Sequence, residues 1–173
     1  MAAKLVLKLV ASVLLVVSLG CGTKRISIPL DVGHEVPVLE LKNVSGGKTF
    51  SVGSLKGDIV VLNFWSTTCG VCMQEIDDLK QIHDSGSAKV IGVALDEDPE
   101  RVRRVIEKRD VKYPVLLGDQ ATFERFDGYS IPYTLVLDRS QVVLKKFFGR
   151  MSEHDLEEVI KAIPSNAISV SNK

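Results

Sequence analysis

Two short stretches of the chain, residues 59–65 and 89–95, are almost wholly apolar and rich in β-branched side chains. Uninterrupted runs of this kind are typical of strands that are covered on both faces of a sheet. Apolar positions recur at helical spacing in residues 69–83, between the two runs, and again in residues 99–109. The pattern therefore predicts a strand, a helix, a second strand and a second helix in succession.

Shorter elements are predicted on either side of this central unit. They are strands at 36–41, 48–52, 113–117, 134–137 and 142–148, and helices at 122–126 and 152–163. The first two strands bracket a glycine-containing turn and form a hairpin, and Ser152 with Asp155 resembles the capping box that begins a helix. Strands that alternate with helices predict an α/β fold with a parallel-rich sheet, and the closing pair of strands makes that sheet mixed.

The N-terminus has a different pattern. Lys4 and Lys8 precede an uncharged apolar run that ends at Leu19. Crossing a bilayer takes about 20 apolar residues, so this shorter run is typical of a signal peptide, which we assign to residues 1–20. The alternative is an uncleaved N-terminal anchor.

Cys21 follows the predicted cleavage point directly. The segment Ser18-Leu19-Gly20-Cys21 resembles the lipobox of bacterial lipoproteins, in which the cysteine is acylated and becomes the new N-terminus. We therefore expect Cys21 to be lipidated, with simple secretion as the alternative. The polar residues 21–35 are expected to be a tether between the membrane and the domain. Each of these alternatives places the domain outside the cytoplasm, where disulfides persist.

Composition restricts the range of functions. A chain of 173 residues suggests one folded domain. The 22 basic and 22 acidic side chains give no net charge and no support for nucleic-acid binding, which needs clustered cations. Three cysteines are too few for a disulfide-dense scaffold, and lipidation of Cys21 would leave Cys69 and Cys72 as a pair.

Cys69 and Cys72 fall where the first long strand passes into the first long helix. Residues three apart on a helix are neighbours, so these two can form and break a disulfide locally. Unpaired N–H groups at a helix N-terminus favour a thiolate, and cysteine pKa values in such motifs fall well below 8.5. We therefore expect Cys69 to be the attacking thiol and Cys72 the resolving thiol.

Two other interpretations of the cysteine pair remain open. It could be a structural disulfide or half of a zinc site, although the chain has no second pair of this spacing and its three histidines are scattered. Haem attachment would require histidine directly after Cys72, where the chain has Met73.

The motifs together resemble the thioredoxin superfamily. They are Phe64-Trp65-x-x-x-Cys-Gly-x-Cys, Ser130-Ile-Pro132-Tyr-Thr and Leu135-Val-Leu-Asp138. The βα insertion at 113–127 and Glu75 after the cysteine pair are similar to the TlpA/ResA-like branch, whose members are membrane-anchored extracytoplasmic thiol–disulfide oxidoreductases. The resemblance covers 36–163 and implies a thioredoxin-like mixed sheet flanked by helices, with an N-terminal β-hairpin. It leaves 164–173 as a flexible tail.

The resemblance also implies roles for individual residues. Pro132 would be the cis-proline that, with Ile131, holds the partner chain; from sequence alone an ordinary strand-entry proline is the alternative. Glu75 would be a buried acid that relays a proton, rather than an exposed helix glutamate. Trp65 would pack beside the active site and contact substrate, rather than serve only as a core residue.

Three positions depart from the family pattern. Asn63 stands where thioredoxin has a buried aspartate, and asparagine cannot accept a proton from a thiol. Glu75 is therefore the better candidate base. Thr68 and Val71 replace the aromatic residue and the proline that are usual around the cysteines, so no redox potential is inferred from the family.

The resemblance implies reduction of disulfides in exported proteins, including apocytochromes c. A transmembrane thiol carrier would supply electrons, and no cofactor or metal is expected. One alternative is a Cu(I) metallochaperone that uses the cysteine pair and Met73. Another is a thiol peroxidase, for which Ser66 fits the required loop but Leu62 stands where proline is needed. The acidic segment 96–98 is expected to be a solvated loop.

Overall fold

The computed structural model describes residues 30–164, which form one seven-stranded mixed sheet and four α-helices. The strands are β1 (Glu40–Asn43), β2 (Thr49–Ser51), β3 (Val60–Trp65), β4 (Lys89–Ala94), β5 (Val115–Leu117), β6 (Tyr133–Leu137) and β7 (Val143–Phe148). The helices are α1 (Gly70–Asp84), α2 (Pro99–Lys108), α3 (Gln120–Arg125) and α4 (Glu153–Lys161). The predicted signal peptide, Cys21 and the predicted tail beyond 164 lie outside the described residues.

The strand order across the sheet is β2-β1-β5-β4-β3-β6-β7. Strands β3, β4 and β5 are parallel to one another, while β1 pairs antiparallel with β5 and β6 pairs antiparallel with β3. This is the predicted mixed α/β sheet. Because β3 is central and parallel to β4, the carboxyl ends of both strands meet at the edge of the sheet where the cysteine pair begins.

The two faces of β3 explain why it is apolar throughout. Val61 and Trp65 pack on one face, in the core that also contains buried residues of α1, α2 and α4. Val60, Leu62 and Phe64 pack on the other face, with α3 and the N-terminal segment. Side chains alternate between faces along a strand, so a strand that is covered on both sides needs apolar residues at nearly every position. Asn63 is the polar exception.

The predicted insertion supplies β5 and α3. Strand β5 fills the space between β4 and the hairpin strand β1. Helix α3 begins at Gln120, two residues before the prediction, because Asp119 serves as its N-cap and accepts the Thr122 N–H at 2.7 Å. The caps predicted for the other helices are confirmed: Asp98 caps α2, and Ser152 forms a capping box with Asp155 at the start of α4.

The N-terminal boundary of the domain differs from the sequence prediction. Residues 30–35, assigned to the tether, pack against the domain: the Leu30 side chain is buried, and the Gly33 N–H donates to the Val143 carbonyl at 2.8 Å. The partner strand lies more than a hundred residues away, so no local pattern signals this contact. Strand β1 starts at Glu40 rather than at 36: the Val36 N–H donates to the Gln141 carbonyl at 3.0 Å instead of joining β1, and Pro37 has no N–H to donate.

Between residues 30 and 164, no helix has the length and apolar content needed to cross a membrane.

Candidate active site

Cys69 and Cys72 form a disulfide at the start of α1, with their Cα atoms 5.2 Å apart. Cys69 is the N-cap of the helix, and its sulfur accepts the Cys72 N–H at 3.1 Å. Cys69 is half-buried, whereas Cys72 is only 2% exposed. The more accessible of the two cysteines therefore lies at the end of the helix where N–H groups point outward, as the motif predicted.

A short loop, residues 66–68, carries the chain from the end of β3 to Cys69. The Cys69 N–H donates to the Ser66 carbonyl at 3.1 Å, and the hydroxyls of Ser66 and Thr68 lie 3.0 Å apart. These bonds close the loop into a tight turn. The turn places Cys69 directly above the carboxyl end of the central strand.

Glu75 lies one turn beyond Cys72 on the same buried face of α1 and is 1% exposed. Burial raises the pKa of this carboxyl to about 7, and the nearby charge of Asp78 contributes in the same direction. The predicted buried acid is thus present below the cysteine pair. A carboxyl group that titrates near neutrality can both accept and release a proton there.

Asn63 and Thr134 join Glu75 in a small polar cluster inside the core. They are cross-strand partners on β3 and β6, and the Asn63 amide donates to Thr134 Oγ1 at 2.8 Å and to Glu75 Oε2 at 3.5 Å. Asparagine therefore fills the position of thioredoxin's buried aspartate without titrating. Glu75 Oε1 has no hydrogen-bond partner among the described residues, so one carboxylate oxygen remains available for a proton.

Ile131 and Pro132 precede β6, and the peptide bond between them is cis, as the resemblance implied. The last residue pair of the β3–β6 ladder is Phe64 with Tyr133, so Pro132 lies beside Trp65 and the start of the loop to Cys69. Pro132 is buried and Ile131 is half-buried. The Pro132 carbonyl accepts the Gly149 N–H at 2.8 Å, which ties this segment to the end of β7.

Trp65 is 2% exposed and packs in the same core cluster as Cys72. Its ring lies against β4 at Gly92, where an added Cβ would come within 3.0 Å of Trp65 Nε1. The absence of a side chain at Gly92 therefore makes room for the tryptophan. The structure places Trp65 beneath the active site and leaves almost none of it accessible to a substrate.

An exposed aromatic pair lies at the same end of the sheet. Tyr129 is 76% exposed and stacks on Phe148, with ring centroids 4.2 Å apart. Phe148 stacks in turn on the buried Tyr133, the residue after Pro132. No local sequence pattern marks this pair, because its members are separated by 19 positions and meet only through the pairing of β6 with β7.

In the acidic segment 96–98, Glu97 and Asp98 are exposed, as expected for a solvated loop, but Asp96 is not. Asp96 is only 9% exposed, and its carboxylate accepts both the N–H (2.9 Å) and the hydroxyl of Thr67. The sequence clue to Asp96 lies in the strand order and not in its neighbouring residues. Asp96 follows a buried strand, and the parallel strand beside it leads into the cysteine pair. In parallel sheets, functional side chains gather at the carboxyl ends of adjacent strands.

Among residues 30–164, no group of three or more His, Cys, Asp or Glu side chains could hold a metal ion.

Comparison with known proteins places this geometry in a family. The model of the Redoxin family matches residues 31–162, which is most of the chain. The chain belongs to the Redoxin family. Among its relatives, thioredoxin-like protein YneN of Bacillus subtilis is 27% identical over 136 residues, with 76% of this chain and 79% of YneN covered. The thiol-disulfide oxidoreductase ResA of the same organism is 28% identical, with 75% of each chain covered.

Solved structures give the same fold. A thiol:disulfide interchange protein of the thioredoxin family from Chlorobium tepidum has a TM-score of 0.67 at 27% identity, covering 76% of this chain and 96% of that one. A DsbF homologue from Corynebacterium diphtheriae has a TM-score of 0.70 at 25% identity, covering 83% and 96%. This Redoxin-family chain is therefore a ResA-like member of the thioredoxin superfamily and a thiol–disulfide oxidoreductase.

Proposed function

We propose that this protein is an extracytoplasmic reductant of disulfides in exported proteins, acting by dithiol exchange through Cys69 and Cys72. The observation that carries the proposal is the cysteine pair at the N-terminus of α1 with the buried Glu75 one turn further on. An attacking thiol, a resolving thiol and a group that titrates near neutral pH thus lie on one helix.

In the first step, the Cys69 thiolate attacks one sulfur of the substrate disulfide. A bond forms between Cys69 and that sulfur, and the second substrate sulfur leaves as a thiolate. Cys69 suits this step because it is the more accessible cysteine and because helix N–H groups stabilise its negative charge.

In the second step, Cys72 attacks Cys69 and releases the reduced substrate. The thiol of Cys72 must first lose its proton, and Glu75 accepts it. With a pKa of about 7, Glu75 is ionised in a large fraction of molecules at neutral pH and can act as this base. Two electrons pass from the dithiol to the substrate, and the protein is left with the Cys69–Cys72 disulfide.

The substrate chain would lie across Ile131 and Pro132, beside the loop that leads to Cys69. The exposed Tyr129 and Phe148 extend this surface, since Gly149 is hydrogen-bonded to Pro132. Trp65 would support this surface from below rather than contact substrate over a large area, because it is buried.

The location and the partners rest on the sequence. The signal peptide at 1–20 would direct export of the chain, and after its removal a lipid on Cys21 would hold the domain at the outer side of a membrane. A compartment that favours disulfides requires a source of electrons for continued reduction, and a transmembrane thiol carrier is the class of donor that fits. Apocytochromes c, whose cysteine pairs must be reduced before haem attachment, are the specific substrate class that we propose.

The roles of the two cysteines can be tested by trapping. In the full-length protein, Cys72→Ala should accumulate mixed disulfides with substrate proteins, because the resolving thiol is missing. Cys69→Ala should trap few or none. Non-reducing electrophoresis, followed by mass spectrometry of the reducible adducts, measures both variants. Equal trapping by Cys69→Ala would show that the division of roles is wrong.

A further inference from the structure

We propose that Asp96 is a positioning residue for the attacking thiol and acts through Thr67. This inference rests on the proposed role of Cys69 as the attacking cysteine. Asp96 comes two residues after β4, and the backbone pairing of β3 with β4 extends to this point, since the Leu95 N–H donates to the Trp65 carbonyl at 2.9 Å. The backbone that leads into Asp96 is therefore anchored to the central strand β3.

Both oxygens of the Asp96 carboxylate are used by a single residue of the loop. Oδ2 accepts the Thr67 N–H at 2.9 Å, and Oδ1 accepts the Thr67 hydroxyl. The other side-chain hydrogen bonds of residues 66–68 stay within the loop itself. Within residues 30–164, Asp96 is thus the one side chain that hydrogen-bonds this loop from another element.

The loop in turn determines where the Cys69 sulfur lies. Thr67 is two residues before Cys69, and the Cys69 N–H bonds back to Ser66. Cys69 must keep an extended backbone (φ −89°, ψ 102°) to act as N-cap and to place its sulfur 3.1 Å from the Cys72 nitrogen. After reduction no covalent bond holds the sulfur there. The Asp96–Thr67 bonds involve neither cysteine, so they remain in both redox states and keep the thiolate at the helix N-terminus.

Removing the Thr67 hydroxyl should therefore make Cys69 less acidic. In the reduced full-length protein, Thr67→Val should lower the rate of Cys69 alkylation by iodoacetamide at pH 6 by about two- to fivefold, the effect of losing the stabilisation that a helix N-terminus gives to a negative charge. The midpoint of the rate–pH profile should move to higher pH. Thr67→Ser restores the hydroxyl and should restore the profile. Thr49→Val makes the same change at an exposed threonine of β2 and is the matched control.

The Asp96→Asn variant distinguishes a positioning role of Asp96 from a direct electrostatic effect of its charge on the Cys69 thiolate. It removes a negative charge near the active site and also one hydrogen-bond acceptor for Thr67. Positioning predicts that the alkylation midpoint moves upward, as in Thr67→Val. A direct repulsion of the thiolate by Asp96 predicts a downward movement, because that repulsion would be removed. A downward movement would overturn the proposal.

If the Asp96–Thr67 contact served only to stabilise the fold, its loss would change the stability and not the alkylation midpoint. Urea unfolding of each variant measures stability independently of the pH profile. A loss of stability in Thr67→Val with an unchanged alkylation midpoint would overturn the proposal. Mass spectrometry of the alkylated protein identifies the cysteine that reacts. Modification of Cys72 in place of Cys69 in the unsubstituted protein would contradict the proposed function itself, which distinguishes the two failures.

Discussion

Glu75 shows how the environment of a single residue changes its chemistry. In water a glutamate carboxyl has lost its proton at neutral pH. Burial of Glu75 in the core raises its pKa from 4.5 to about 7. The charged form is thus disfavoured in the folded protein relative to the unfolded chain. A group that is useful as a base at neutral pH consequently reduces the stability of the fold at that pH.

This cost should be visible in the pH dependence of stability. Between pH 4.5 and 7 the folded protein binds the Glu75 proton while the unfolded chain has released it, so stability falls as pH rises through this range. The total loss is about 3 kcal/mol. The glutamine in Glu75→Gln cannot ionise. The free energy of unfolding of this variant should therefore depend less on pH, and at pH 8 the variant should be more stable than the unsubstituted protein.

Urea unfolding of the oxidised protein between pH 4 and pH 8 measures this dependence. Glu107→Gln makes the same change at an exposed position of α2 and should leave the curve unchanged. Parallel curves for Glu75→Gln and the unsubstituted protein would show that Glu75 has an ordinary pKa and would remove the argument for it as a base near neutral pH.

At the scale of elements, the pairing of β6 with β7 joins the proline segment to an exposed aromatic surface. Phe148 stacks between Tyr133 and Tyr129, so a column of rings runs from the core to the solvent. An exposed tyrosine that is held in one orientation by stacking loses little conformational freedom when another chain binds it. The proposed function therefore assigns it a role in binding protein substrates.

Tyr129→Ala should raise the KM for an oxidised protein substrate by about three- to tenfold, the effect of losing one aromatic contact. The rate with a small disulfide such as hydroxyethyl disulfide should not change, because that molecule reaches only the cysteines. Tyr129→Phe keeps the ring and should behave as the unsubstituted protein. Steady-state reduction assays with the two substrates give the comparison. Equal losses on both substrates would indicate a disturbed active site rather than a binding surface.

The elements differ in how far the sequence predicts them, for a physical reason. Strands β3 and β4 are buried on both faces, so their composition alone identifies them, and α2 and α4 carry their N-caps within a few residues of their starts. The segment 30–35 depends on strand β7, far away in the chain, and so looked like a tether. Asp96 was misread for the same reason: its partner Thr67 is brought to it by strand pairing and not by sequence spacing.

The whole molecule has features that influence its redox potential in opposite directions. The N-cap position of Cys69 stabilises a thiolate and so favours the reduced form. The Glu75 carboxyl below Cys72 has the opposite effect, because a negative charge there disfavours a thiolate at Cys72. Thr68 and Val71 also replace the residues that are usual around the cysteines in the family. These effects together set the redox potential of the Cys69–Cys72 pair. The direction of electron flow depends on that potential relative to the potential of the substrate disulfide.

The proposed reducing role requires a potential below about −230 mV for the Cys69–Cys72 pair, since a stronger oxidant would accept electrons from its substrates. Thiol trapping of the purified protein, equilibrated in dithiothreitol and glutathione buffers of defined potential, measures this value. The Cys72→Ala variant, which cannot close the disulfide, is the control for the trapping reaction. A potential near −120 mV would reverse the proposed direction while leaving the exchange chemistry intact. A pair that never equilibrated with the buffers would be a structural disulfide, because an active one must exchange with external thiols.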